Sequence, residues 1–162
     1  MVHQYAKYQP KDFDSYDCLK LSKGIYLILL FVLRGYVVWL ISLANMSDRT
    51  SFIALVFPEP NTFYLSLLSG LLGIFIVIVI SFRRPNAATW VKQSWQKLRA
   101  LLLSALVFDL IVNVFAYFYW QLDFQLWLMV NVVTVIAFTI YLYNNQRLIL
   151  NINEFPEKLP EK

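Results

Sequence analysis

The chain has 162 residues, 59% of them hydrophobic and 15% charged. Ordinary globular chains run about 45–50% apolar, counting glycine, and about 25% charged. With a mean hydropathy of +0.57 and a net charge of only +4, these apolar side chains exceed what a soluble core of one domain's size can hide, and lipid is the expected solvent.

The one cysteine, Cys18, excludes an internal disulfide, and the one histidine, His3, has no clustered ligand or nucleophile beside it. Residues 1–23 read as a polar tail whose DFDSYD stretch sets Asp12, Asp14 and Asp17 close together. A calcium loop of the EF-hand type needs a glycine and a distal glutamate that this stretch lacks, so no metal site is expected. Residues 24–44, GIYLILLFVLRGYVVWLISLA, form the first apolar run long enough for a bilayer crossing of about 20 residues. A cleaved signal peptide is not expected there, because the run is too long, a polar tail precedes it and no small-x-small site is convincing. The following loop, NMSDRTSFIALVFPEPN, holds an apolar patch too long for a free loop. Asp48 is a candidate N-cap and Pro58 a stop, which predicts a short interfacial helix over about 49–57.

The second run, 62–82, carries Ser66, Ser69, Gly70 and Gly73 at helical spacing. Such a stripe of small residues lets another helix, internal or from a second copy, approach closely. After Arg83 and Arg84, residues 86–99 place Val91, Trp95 and Leu98 on one face with lysines elsewhere. That predicts an interfacial helix or an early start of the third span, with Arg83, Arg84, Trp90, Lys92, Trp95 and Lys97 towards lipid. The third run, 100–120, is separated from the fourth, 124–144, by Gln121, Leu122 and Asp123, a tight hairpin. Residues 145–162 read as a second tail. The fold class is therefore an all-α membrane protein with four transmembrane helices.

Of the 14 lysines and arginines, Lys7, Lys11, Lys20, Lys23, Arg83, Arg84, Lys92, Lys97, Arg99, Arg147, Lys158 and Lys162 lie in the two tails and the middle loop. Only Arg49 lies in the first loop, and the hairpin has none. Positive charge marks the cytoplasmic side, so both termini and the middle loop are expected there. Because these cations follow topology, they do not form a separate nucleic-acid patch, and no nucleic-acid partner is expected. No nucleophile elbow, zinc-ligand spacing or phosphate loop is present, so no enzyme, catalytic residue or cofactor is expected.

The strings LKLSKGIYLILLFVLRGYV and SDRTSFIALVFPEPNTFYLSLLSGL, followed by RRP, resemble the YfeZ-like family of small bacterial inner-membrane proteins. That family shows a tyrosine- and aspartate-rich tail, an arginine inside helix one, a serine-arginine outer loop and an arginine pair closing helix two. Here Asp48 precedes Arg49, and Val56-Phe57-Pro58 stands where the family has a phenylalanine-tyrosine-proline turn. The likeness covers roughly residues 12–100 and implies an inner-membrane location and no chemistry.

Arg34 stands mid-run in FVLRGYVVWL, where a guanidinium costs about 2.5–3.5 kcal/mol on insertion scales. The other ionisable residue deep in a span is Asp109. At about 1.5 Å per residue, Arg34 lies about 15 Å along the first span and Asp109 about 14 Å along the third, so the two share a depth and can pair bidentately. Asn113 and Asn131 fall together at about 20 Å. These four residues are expected to form one polar layer, read either as a structural clasp or as the lining of a path. The expected role is a non-catalytic accessory, assembly or interaction component, with a small transporter or channel as the alternative. Expected partners are membrane lipids and, for a unit this small, a second copy or other membrane subunits.

Overall fold

A computed structural model describes residues 8–14, 16, 18–44, 49–57, 59–120 and 125–156. His3, Asp17, the Asp48 cap, Pro58, the 121–123 turn, Lys158 and Lys162 lie outside the described residues. Among them the chain forms helices α1 (Lys23–Val32), α2 (Arg34–Ala44), α3 (Arg49–Val56), α4 (Pro60–Ser81), α5 (Thr89–Gln96), α6 (Leu98–Trp120), α7 (Gln125–Asn144) and α8 (Gln146–Asn153). Their ends follow local chemistry. Proline opens α4, where its missing N–H is no loss. The Asn145 side chain accepts from the Leu148 N–H and caps α8. Helix α4 stops at Phe82, just before the Arg83-Arg84-Pro85 turn, because the residue before a proline disfavours helical backbone.

The single helix expected over 24–44 is not what the chain forms. It breaks at Leu33, and α1 and α2 meet with a bend of 72°. No proline causes the break. Gly35 weakens the helix from within, and the Arg34 side chain turns back to donate from Nη1 to the Phe31 carbonyl at 3.0 Å. That carbonyl sits in the last turn of α1, where regular helical partners run out. Among the described residues three helices, Pro60–Ser81, Leu98–Tyr119 and Trp127–Asn144, are long and apolar enough to cross a membrane, or up to four spans if the bent pair counts as one.

Helix α4 is the element on which the others gather. It packs against α6, α1 and α2, and α6 in turn packs against α7. The main core joins Ile28 and Val32 of α1, Ile76 and Val79 of α4, Leu102 and Leu106 of α6 and Leu142 of α7. Beyond the bend, α2 packs chiefly on α3 and α4, around a smaller core of Val38, Phe57 and Phe63. The small-residue stripe of α4 faces this broken helix and so has an internal partner. A Cβ added to Gly70 would lie 2.8 Å from the Tyr36 ring, one on Gly73 3.0 Å from Leu33, and one on Gly35 2.7 Å from Ser66 Oγ.

At the end holding both described termini, the tails pack as part of the fold. Leu19 N–H donates to Glu154 Oε2 at 2.7 Å. Asn151 accepts from Ser22 N–H at 3.1 Å and donates to the Leu19 carbonyl at 2.9 Å. Asp12 faces Arg147 at 3.7 Å. Trp95, 1% exposed, donates from Nε1 to the carbonyls of Asn151 and Glu154 at 3.2 and 3.1 Å. The face made by Val91 and Trp95 of α5 and Leu98 at the start of α6 therefore packs inward on protein instead of resting on lipid.

The closeness at Gly35 is testable. Ser66 backbone carbon also lies 3.2 Å from a Cβ at this position, so the crowding is not with a flexible tip alone. Overpacking of this kind costs about 1–3 kcal/mol, more than the 0.5–1 kcal/mol (roughly) that alanine gains over glycine inside a helix. Gly35→Ala is expected to lower the thermal midpoint in detergent, and Ser66→Gly in the same background to recover part of the loss.

Candidate functional site

The chemistry of the chain converges where the bent helix meets α4 and α6. Arg34 is the first residue of α2, Ser69 lies midway along α4, and Asp109 and Asn113 sit one turn apart on α6. Asp109 is fully buried and the Arg34 side chain is 14% exposed. Arg34 Nη1 donates to Asp109 Oδ2 at 3.0 Å. Asn113 Nδ2 donates to the Asp109 carbonyl at 2.7 Å and to Oδ2 at 3.3 Å. Ser69 Oγ donates to the other oxygen, Oδ1, at 2.9 Å, and stands 3.1 Å from the Ser66 carbonyl. A hydroxyl has one proton, and a carboxylate is the stronger acceptor of the two.

Contact between Arg34 and Asp109 is through one nitrogen, so the pair is not bidentate. The second proton of Nη1 goes to the Phe31 carbonyl. The guanidinium carbon lies 4.7 Å from the Phe31 ring centre, and that ring meets Phe138 of α7 edge-on at 5.5 Å. Hydrogen bonds to charged groups contribute about 1.5–3 kcal/mol each. Together these bonds offset the insertion cost of about 2.5–3.5 kcal/mol. Arg34 Nε and Ser66 Oγ are buried without a hydrogen-bond partner among the described residues.

Asn131 does not join the bonded cluster. It is 3% exposed, and neither its Nδ2 nor its Oδ1 has a partner among the described residues. Phe138, on the same inward stripe of α7, touches Phe31, and seven residues of helix put Asn131 about 10 Å further along. Asn113 rises about 6 Å beyond Asp109 in the same direction.

The residues expected to face lipid divide into two groups. Trp90 is exposed, as are Arg84, Lys92 and Lys97. Trp95 is internal, and Arg83 stands half-buried over its ring at 4.5 Å while donating from Nη2 to the Glu154 carbonyl at 3.3 Å. Burial lowers the Arg83 pKa from its ordinary value, with the carboxylates of Glu154 and Asp14 acting against that fall. Trp95 is thus part of the fold's own packing and not a lipid contact, and Arg83 is half-buried against it.

Sequence reasoning missed three participants: Ser69 as a donor to Asp109, the Phe31 carbonyl, and the Asn151–Glu154 tie to the N-terminal segment. Ser69 was visible only as a small residue. The other two depend on a helix break and a docked tail, for which the sequence carries no signal.

An all-helical chain with long apolar helices and a charged pair enclosed between them belongs to the multi-pass membrane proteins. More narrowly, the chain belongs to the DUF2919 family, proteins of unknown function, whose pattern it matches over residues 8–154. It is 28% identical over 102 residues to the inner membrane protein YfeZ of Escherichia coli strain K12, a match spanning 63% of this chain and 65% of that relative's length. No solved structure matches the chain.

The donor role of Ser69 leads to a clear expectation. Ser69→Ala leaves a buried carboxylate oxygen without its donor, at a cost of about 1–3 kcal/mol. Ser104, an exposed hydroxyl that among the described residues bonds only to the Leu101 carbonyl, is the control. Unfolding in detergent should show a clear loss for Ser69→Ala and next to none for Ser104→Ala.

Proposed function

We propose that this protein is a four-span component of the bacterial inner membrane, with both termini and the middle loop in the cytoplasm, and that it acts as a non-catalytic accessory or assembly element. The observation that carries the reading is the state of Asp109. Both of its oxygens are engaged, by Arg34, Ser69 and Asn113, and it is closed to solvent. A carboxylate that relays protons or binds a passing ion needs access to water; this one is closed to solvent and is bonded to side chains of α2, α4 and α6. The name of the Escherichia coli relative supports the location, and the distribution of lysine and arginine supports the orientation.

A second reading, a small transporter, is favoured by one feature: a helix interrupted in mid-run beside a charged pair is how many transporters build a midplane site.

A double-mutant cycle separates the two. Removing one member of a buried pair strands the other and costs about 3–5 kcal/mol, whereas replacing both with apolar residues is often neutral. For a clasp, Arg34→Leu and Asp109→Leu are each expected to lower stability sharply, and the double variant to recover most of the loss. Losses that add up, together with ion or proton flux through wild-type proteoliposomes that Asp109→Leu abolishes, would replace this reading with the transporter.

Orientation has its own check, on a Cys18→Ser background. In spheroplasts an impermeant maleimide is expected to label Asn61→Cys and to leave Asn86→Cys untouched until the membrane is opened.

A further inference from the structure

The middle loop splits its cations into those the fold uses and those it leaves outward. Arg83 is held over Trp95, Arg99 lies over the Tyr143 ring at 5.5 Å, and Lys92 lies over Phe155 at 5.7 Å. Arg84 and Lys97 are exposed and have no ion-pair partner among the described residues. No acidic residue occurs between Pro60 and Phe108, so no carboxylate of this stretch offsets the two cations.

Two residues before Arg84, Phe82 is part of an exposed aromatic tile. Phe75, Ile78 and Phe82 occupy one outward stripe at the end of α4, and all are exposed. Trp90, at the start of α5, places its ring 6.4 Å from Phe75 and 6.5 Å from Phe82. Trp90 and Gln93 share the outward side of α5, with Lys97 exposed just past its end, opposite the buried Val91 and Trp95. Because α4 is a membrane-length helix, rings in its last two turns lie within about 10 Å of its end. That is the level where acyl chains give way to headgroups.

We propose that this patch seats an anionic phospholipid. Its acyl chain lies along Phe75, Ile78 and Phe82, Trp90 marks the boundary, and Arg84 and Lys97 meet the phosphate and the net negative headgroup. A zwitterionic lipid offers the same phosphate but brings its own cation towards two unneutralised charges, so net charge is what selects. The proposal rests on the membrane class alone. It does not depend on whether the Arg34–Asp109 pair is a clasp or a path, nor on which side of the membrane the middle loop faces.

The test uses the full chain in phosphatidylcholine nanodiscs doped with brominated phosphatidylglycerol or, separately, brominated phosphatidylcholine. The Trp90 emission is isolated by subtracting the Trp90→Phe variant. At equal mole fraction the anionic lipid is expected to quench this component at least about threefold more than the zwitterionic one. Arg84→Gln combined with Lys97→Gln should remove the preference while leaving the thermal midpoint unchanged, since both side chains are exposed. Equal quenching by the two lipids, or a preference that survives the double substitution, overturns the proposal. Quenching by neither means that a second copy or another protein covers the tile, and overturns it as well.

Discussion

A helix interrupted inside hydrocarbon leaves backbone carbonyls without partners, and a buried arginine needs acceptors. In this protein each need answers the other. Arg34 follows the break at Leu33 and gives one proton of Nη1 to the Phe31 carbonyl and another to Asp109. Neither the bend nor the charge would be tolerable alone, because lipid offers no water to either. Asp109 extends the arrangement outward. Its remaining oxygen takes the Ser69 hydroxyl, so one carboxylate ties α2, α4 and α6 at a common level.

That tie demands close helices. An aspartate side chain is short, and its donors come from elements whose backbones must nearly touch. The glycines and serines of α4 supply the approach: Ser66 against Gly35, Gly70 against Tyr36 and Gly73 against Leu33. Between helices in lipid there is little hydrophobic driving force, so contact area and hydrogen bonds decide association. The small-residue stripe and the polar cluster are thus two parts of one contact. The bend then directs α2 onto α3 and the start of α4, where a second small core forms.

The opposite end is organised by a different constraint. Here residues 19–22 and 151–154 dock through hydrogen bonds between backbone groups and the side chains of Asn151, Glu154 and Trp95. Docking Trp95 and half-burying Arg83 sets part of the loop's aromatic and cationic content to packing. What remains outward, Trp90 with Arg84 and Lys97, is free to meet the membrane.

The sequence by itself determined that the chain is helical and lives in lipid, because apolar runs of membrane length have no soluble alternative. It also determined the shared depth of Arg34 and Asp109, because helical rise is constant. The residues of the fold's family were legible in the same strings. Only the tertiary structure decided where the first run breaks, since no proline marks Leu33 and the bend depends on what Arg34 and Gly35 meet. It alone decided that the α4 stripe faces α1 and α2, and that Trp95 turns inward while Trp90 stays out. The physical reason is common to all of these. Lipid and protein interior are about equally apolar, so a hydrophobic face does not encode which of the two it touches. That choice is made by shape, by short polar side chains and by the backbone groups left to satisfy.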